Sequence, residues 1–151
     1  MRIKTSTIIC YALLAAALLA SLALRIAVPW EHVFTGQWIK LTDNDAYLYA
    51  RLLDNVSRHF PAIGSPDPYL SPGQELFPSI RPMFFVHLMG FIALIAGAGT
   101  PAQQTVDLVA VYFPAIAGAL LVIPIFLIGR TLFNRWAGLV AAWFIALMPG
   151  E

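Results

Sequence analysis

The hydrophobic residues of this chain fall in long continuous runs that are separated by polar stretches. Runs over about 7–30, 106–128 and 134–149 each approach the roughly 20 apolar residues that cross a bilayer as a helix. A fourth apolar run, 83–98, is shorter, and its length suits either a short span or a helix that lies in the membrane interface. The pattern therefore predicts an all-α protein that crosses a membrane several times.

The polar interval after the first run, residues 31–81, contains the pattern of an amphipathic helix. We predict this helix over 45–60, with Pro61 ending it. Asp54 and Arg58 lie four residues apart, which is the spacing of an ion pair along one helix face. The apolar positions recur with the period of an α-helix and are Leu48, Tyr49, Leu52, Leu53, Val56 and Phe60.

The basic residues decide between the two interpretations of the run 83–98. If this run spans the membrane, the basic turn 129–135 faces outward, against the preference of Lys and Arg for the cytoplasmic side. If the run lies in the interface, Arg2 and Lys4 share the cytoplasmic side with that turn. We therefore predict three spans, a cytoplasmic N-terminus, and an external loop over 31–105 with an interfacial helix at 83–98.

The composition supports a membrane protein and excludes several other functions. The 151 residues are 60% hydrophobic and 11% charged, with a mean hydropathy of +0.76, and a soluble domain does not need so much apolar surface. The net charge of +1 gives no electrostatic footprint for nucleic acid. The sequence contains no phosphate-binding loop and no nucleophile elbow. The glycine-rich stretch 97–99 follows an apolar run and predicts the C-terminus of a helix.

Three single residues in or near the apolar runs invite a functional interpretation, and each has a plainer one. Cys10 has no second cysteine with which to form a disulfide. His87 has no histidine or cysteine at ligand spacing, which favours helix packing over metal binding. Arg25 is either a functional charge within the membrane or a side chain that extends to the lipid headgroups, and the nearby Trp30 favours headgroups.

The first apolar run also has the start of a secretory signal peptide. Its opening is basic, and Ser21-Leu22-Ala23, with small residues at its first and third positions, fits a cleavage site. The run continues beyond Ala23 and ends at Trp30, a residue type that is enriched at membrane interfaces. These two features favour a membrane span.

Two carboxylates, Asp43 and Asp45, stand at the start of the predicted helix 45–60. Thr42 with Asp45 three residues later fits a helix-capping pattern, and an acid in the first turn complements the helix dipole. Carboxylates at this spacing can also direct oxygens at one hard cation such as Mg²⁺ or Mn²⁺. Beside a bilayer, that cation would suit a lipid that carries phosphate, because it neutralises charge on the departing group. The residues alone leave capping and metal binding open.

Four stretches together carry a resemblance to a known family. They are DNDAYLYAR at 43–51, YLSPG at 69–73, VIPIFLIG at 122–129, and the stretch 136–150, which begins WAGLVAA and ends MPG. In this order they resemble the N-terminal part of the catalytic subunit of oligosaccharyltransferase, including its archaeal and bacterial single-subunit relatives. The first stretch is similar to that family's first acidic motif, D/E-x-D followed by a small and an aromatic residue in the first external loop.

The resemblance implies a many-span domain of the GT-C glycosyltransferase class, followed by a soluble C-terminal domain. It implies transfer of an oligosaccharide from a polyprenyl phosphate or diphosphate to the amide nitrogen of Asn in an Asn-x-Ser/Thr sequon, assisted by Mn²⁺ or Mg²⁺. The implied partners are a lipid-linked oligosaccharide, an acceptor polypeptide and membrane lipid, without nucleic acid. The implied location is the cell membrane, with the first loop outside.

The resemblance also assigns roles to the two acids. Asp45 corresponds to the acid that binds the metal and faces the acceptor amide, so it is the expected catalytic and metal-binding residue. Asp43 corresponds to the first acid of the motif, and we expect it to support the site from beside the metal. Further ligands are expected beyond Glu151, so we expect the 151 residues to be inactive by themselves.

Two alternatives remain open. Another GT-C glycosyltransferase that uses a polyprenyl-phosphate sugar would also place an acid early in its first outer loop. A non-catalytic membrane subunit would use Asp43 and Asp45 only as helix caps. Neither the residues nor the resemblance assigns substrate-binding residues.

Overall fold

The computed structural model describes residues 5–36, 38–41, 44–62 and 83–148, and these are mostly helical. This confirms the predicted helical class, to which the structure adds two strands of two residues each. The elements are α1 Thr5–Ala27, α2 Trp30–Val33, β1 Phe34–Thr35, β2 Trp38–Ile39, α3 Asn44–His59, α4 Met83–Ala96, α5 Gln103–Leu120, α6 Val122–Leu132 and α7 Arg135–Leu147. Several predicted features lie outside the described residues, namely Arg2, Lys4, Thr42, Asp43, the stretch 69–73 and residues 149–151.

Two apolar stretches among the described residues are long enough to cross a membrane. Thr5–Val33 comprises 29 residues and Gln103–Leu132 comprises 30, so the predicted spans 7–30 and 106–128 both fall on long apolar helical segments. The other two apolar helices, Phe84–Ala96 and Arg135–Leu147, are shorter. The number of three spans therefore stays a prediction.

The second long apolar stretch is divided into two helices at Leu121. Pro124 has no N–H to donate to the carbonyl one turn earlier, so the hydrogen-bond ladder is interrupted there. In α6, which begins at Val122, Pro124 occupies the first turn, where a missing N–H costs little. Pro114, in contrast, lies inside α5 without ending it.

The described residues form two compact units, one within Met1–Thr35 and Pro114–Glu151 and the other within Gly36–Phe113. In the first unit α6 and α7 approach at glycines. A Cβ built on Gly138 would lie 2.5 Å from the Phe126 carbonyl oxygen, and one on Gly129 would lie 2.7 Å from the Gly138 Cα. Small residues permit such close approach between helices in a membrane.

Arg25 in the first unit is directed at protein groups, which contradicts its predicted extension to lipid headgroups. Its Nη1 donates to the hydroxyl of Ser21, one turn earlier in α1, and to the Ala146 carbonyl oxygen of α7 at 3.4 Å. Its Nη2 donates to the Ile145 carbonyl oxygen at 3.5 Å. The carbonyl groups at the end of α7 lie within reach of the side chain, so it does not need to extend along α1.

The second unit is built on the packing of α3 against α4. The predicted helix 45–60 is observed as Asn44–His59, and its buried side is the predicted apolar one. Leu52 and Val56 pack with Val86, and Leu53 packs with Met89 and Val106. The helical period was therefore a reliable guide here because one face of α3 is covered along most of its length.

The helix α4 ends at the glycines that predict its end. The Gly99 N–H donates to the Leu94 carbonyl oxygen at 2.8 Å, and Ala98 and Gly99 have φ angles of 50° and 90°. A Cβ on Gly97 would overlap the Pro101 Cα, so a larger residue would displace the chain that follows.

Candidate functional site

Asp45, the residue expected to bind the metal, is the second residue of α3 and is exposed to solvent. It lies in the first helical turn, where its carboxylate complements the positive end of the helix dipole. Asp43 and Thr42 lie outside the described residues, so neither the capping pattern nor the second carboxylate is tested by the structure. The geometry of the site is therefore that of Asp45 and of the helix that carries it.

The position of α3 is fixed by its buried side. Leu53 and Val56 are fully buried, and Val56 lies over Gly90 of α4. A Cβ built on Gly90 would lie 2.8 Å from Val56 Cγ1, so the two helices touch at that point without an intervening side chain. At the end of α3, the ring centroid of Phe60 lies 6.2 Å from that of Phe91.

A polar clasp joins the exposed side of α3 to the start of α5. Arg58 Nε donates to Asp54 Oδ1 at 2.9 Å, which confirms the predicted pair, and Arg58 Nη2 donates to Gln103 Oε1 at 2.9 Å. Gln103 Nε2 donates in turn to Asp107 Oδ1 at 3.0 Å. The hydrogen bond and the charge of Asp54 raise the pKa of Arg58 above its usual value, so the cation persists. The groups are exposed, so each contact contributes little to stability.

A cavity of about 230 Å³ lies beside the clasp. It is lined by Ile39, Leu41, Tyr47, Ala50, Arg51, Asp54, Gln103, Asp107 and Ala110. The lining contains charges of both signs, and Asp45 is not part of it. The sequence interpretation did not find this group, although the four-residue spacing of Gln103 and Asp107 signals a polar face at the start of α5.

The described residues contain no group of three or more His, Cys, Asp or Glu that could hold a metal ion. Asp45 offers carboxylate oxygens, which Mg²⁺ and Mn²⁺ prefer, but a six-coordinate ion needs additional ligands. The Nε2 atom of His87 lies 3.1 Å from the Pro61 carbonyl oxygen, and its ring centroid lies 6.3 Å from that of Phe60. This contact agrees with the predicted role of His87 in helix packing.

Comparison with known proteins identifies the family. The model of the family described as oligosaccharyl transferase STT3, N-terminal, matches residues 12–150. The chain belongs to this family. The observation confirms the resemblance that was inferred from the order of four short stretches, and it covers almost all of the chain.

The chain is similar in sequence to archaeal glycotransferases. The chain is 36% identical over 135 residues to dolichyl-phosphooligosaccharide-protein glycotransferase 3 of Archaeoglobus fulgidus, covering 89% of the chain and 15% of that protein. It is 34% identical over 112 residues to dolichyl-monophosphooligosaccharide-protein glycotransferase AglB of Haloferax volcanii, covering 71% of the chain and 10% of that protein. The chain thus spans a small N-terminal share of the length of these relatives, as the STT3 match also indicates.

Solved structures of the STT3 family share the fold of the chain. The apo form of the Archaeoglobus fulgidus oligosaccharyltransferase is 34% identical, with a TM-score of 0.78 over 93% of the chain and 16% of that protein. The AglB enzyme of the same organism, in complex with an inhibitory peptide and a dolichol-phosphate, is 32% identical, with a TM-score of 0.77 over 98% of the chain and 17% of that protein. The chain therefore shares its fold with part of these archaeal oligosaccharyltransferases.

Proposed function

We propose that this chain is part of an oligosaccharyltransferase that moves a glycan from a polyprenyl phosphate or diphosphate to the Asn of an Asn-x-Ser/Thr sequon. The match of 139 residues, 12–150, to the STT3 N-terminal family carries this proposal. The relatives are named for dolichyl-linked donors, and one solved relative binds a peptide together with a dolichol-phosphate. These names and ligands support a lipid-linked donor and a peptide acceptor.

The proposed reaction exchanges one bond at the sugar for another. The bond between the anomeric carbon and the carrier's phosphate oxygen breaks, a bond from that carbon to the amide nitrogen forms, and the nitrogen loses a proton. Asp45 is the proposed metal ligand and faces the acceptor amide, and Asp43 is proposed to support it. A bound Mn²⁺ or Mg²⁺ would supply positive charge where negative charge builds on the departing phosphate. The exposure of Asp45 on a helix whose opposite side is buried supports this role.

We propose further that α3 and α4 lie outside the membrane core on the external side. The exposed side of α4 carries an apolar stripe at helical spacing, with Phe84, Leu88, Phe91 and Ile95 between 37% and 81% exposed. The opposite side packs on α3, which carries four charged residues between Asp45 and Arg58 and would not enter a bilayer. A stripe facing lipid and a charged partner helix facing water favour an interfacial α4. An interfacial α4 supports three spans, and the basic residues then favour a cytoplasmic N-terminus and an external acidic motif.

The proposal is tested with the full-length protein in detergent or in vesicles. The assay measures transfer from a lipid-linked oligosaccharide to a fluorescent sequon peptide in the presence of Mn²⁺. We expect Asp45→Asn, which keeps the size of the side chain, to lower transfer by at least about a hundredfold because it removes the ligand charge. Glu31→Gln is the matched control, because Glu31 is another exposed acid that lies in α2, and it should leave transfer unchanged.

Three outcomes would contradict the proposal in different ways. Near-normal transfer in Asp45→Asn would remove the site assignment and leave the enzyme class intact. A sugar product formed on an acceptor other than the sequon peptide would indicate another GT-C glycosyltransferase. A wild-type protein without transferase activity under any of these conditions would favour a non-catalytic membrane subunit.

A further inference from the structure

Arg25 of α1 connects this helix to α7 by hydrogen bonds to main-chain groups. It lies in the last turn of α1, is half-buried, and donates to the main chain and hydroxyl of Ser21. It also reaches 120 residues along the chain to the carbonyl oxygens of Ile145 and Ala146, in the last turn of α7. A guanidinium with several donors in one plane suits this set of acceptors better than a lysine would.

The end of α7 needs such a partner. The last four carbonyl groups of a helix have no N–H partner within the helix. At the end of α7, the Met148 N–H donates to the carbonyl oxygens of both Phe144 and Ile145. Ala146 is fully buried, and Arg25 supplies a donor to its carbonyl oxygen. The cation also lies at the negative end of the helix dipole, where a positive charge is favourable.

Gly118 of α5 provides the space for this contact. A Cβ built on Gly118 would lie 2.9 Å from Arg25 Nε and 3.3 Å from its Cδ. A larger residue at 118 would therefore require the end of the Arg25 side chain to shift from its present position. The absence of a side chain at 118 and the presence of the arginine at 25 are therefore coupled in the structure.

We propose that Arg25 is a positioning residue that fixes the end of α7 and thereby the direction in which the chain leaves it at Met148. Met148 itself is extended, with φ −65° and ψ 126°, so the position of the last helical turn sets where the following chain begins. The proposal is carried by contacts within one compact unit. Its link to catalysis rests on the proposed function.

The test measures the end of α7 directly and then the reaction. In the full-length protein, with Cys10 and any other cysteines replaced, spin labels at Leu132→Cys, the last residue of α6, and at Met148→Cys, just beyond α7, report the distance between the two ends of α7. Both positions are exposed, and a helix of 13 residues gives a separation of roughly 20 Å. We expect a narrow distance distribution in wild type and a broad one in Arg25→Met and in Gly118→Ala.

The two variants together distinguish positioning from general destabilisation. If Gly118→Ala acts by displacing Arg25, adding it to Arg25→Met should produce no further broadening. Arg25→Lys, which keeps one donor group and the charge, should restore part of the narrow distribution. Arg130→Met, which removes a hydrogen bond from Arg130 to the Tyr11 hydroxyl, is the matched control and should leave the distribution narrow.

The transfer assay provides the functional measurement. We expect Arg25→Met to lower kcat on the order of tenfold to a hundredfold while KM for the peptide changes little, because misplaced groups slow the reaction more than they weaken binding. Arg25→Lys should recover part of the rate. A narrow distribution in Arg25→Met, or independent effects of the two variants, would overturn the proposal. An inactive wild-type protein whose distribution still broadens in Arg25→Met would refute the proposed function and leave the positioning role standing.

Discussion

At the contact between Gly90 of α4 and Val56 of α3, the two helices leave no room for a methyl group on Gly90. In Gly90→Ala, the new Cβ would lie 2.8 Å from Val56 Cγ1, 3.6 Å from Val56 Cβ and 3.9 Å from Phe60 Cδ2. The shortest of these is about 0.7 Å inside the ~3.5 Å at which carbon atoms attract one another. Val56 is fully buried and its χ1 angle is restricted in a helix, so the side chain cannot rotate away freely.

The expected cost of Gly90→Ala is about 1–3 kcal/mol for local opening of α3, the range for overpacking a well-filled core. Hydrogen exchange of the α3 amides in the full-length protein measures this quantity for the helix that carries Asp45. At about 1.4 kcal/mol for each factor of ten, exchange should accelerate about fivefold to 150-fold. Ile95→Ala changes the exposed side of α4 and serves as the control, with exchange in α3 expected to change by no more than about twofold.

Val56→Ala provides the decisive second variant. Alone, it removes two buried methyl groups and should destabilise α3 by roughly 0.8 kcal/mol for each, together with a cavity term. Combined with Gly90→Ala, it removes the atom that clashes, so the pair should cost at least about 1 kcal/mol less than the sum of the two single costs. Unchanged exchange in Gly90→Ala, or costs that simply add, would refute the conclusion that these helices touch at that point.

Two further predictions concern the helix α7 and the metal. Asn134 Oδ1 accepts hydrogen bonds from the N–H groups of Trp136 and Ala137 at 2.9 and 3.0 Å. Asn134→Ala should therefore destabilise the start of α7 by about 1 kcal/mol, which corresponds to about fivefold faster amide exchange there. Asn134→Asp keeps an acceptor oxygen and should retain most of the protection. Removal of divalent cations with a chelator should abolish glycan transfer by the full-length protein, and Mn²⁺ or Mg²⁺ should restore it, because a carboxylate site depends on the ion for its charge; transfer that persists in excess chelator would contradict a metal role for Asp45.

Local patterns predicted the elements that are buried on one side or apolar throughout. The amphipathic α3 was placed within a residue at each end, because its period reflects the side that packs on α4. The end of α4 was placed from three residues, 97–99, whose backbone geometry is set locally. The ion pair of Asp54 and Arg58 followed from spacing alone.

Features that depend on distant partners were not accessible in the same way. The interpretation of Arg25 was wrong because its acceptors, Ile145 and Ala146, lie 120 residues away in the sequence. The division of the second apolar stretch at Leu121 was missed because Pro124 is compatible both with a continuous span and with the start of a new helix. For the site, the sequence supplied Asp45 by resemblance, whereas the neighbouring cavity required α3 and α5 to be brought together.

The two sides of α4 have a consequence for the position of Asp45. One side of α4 is fastened to α3, and the other carries the apolar stripe from Phe84 to Ile95. Under the proposed topology, the depth at which this stripe is immersed in the lipid sets the height of Asp45 above the bilayer surface. The α3–α4 pair would therefore hold the Asp45 carboxylate at the height of the carrier lipid's phosphate, because the same bilayer surface sets the height of both.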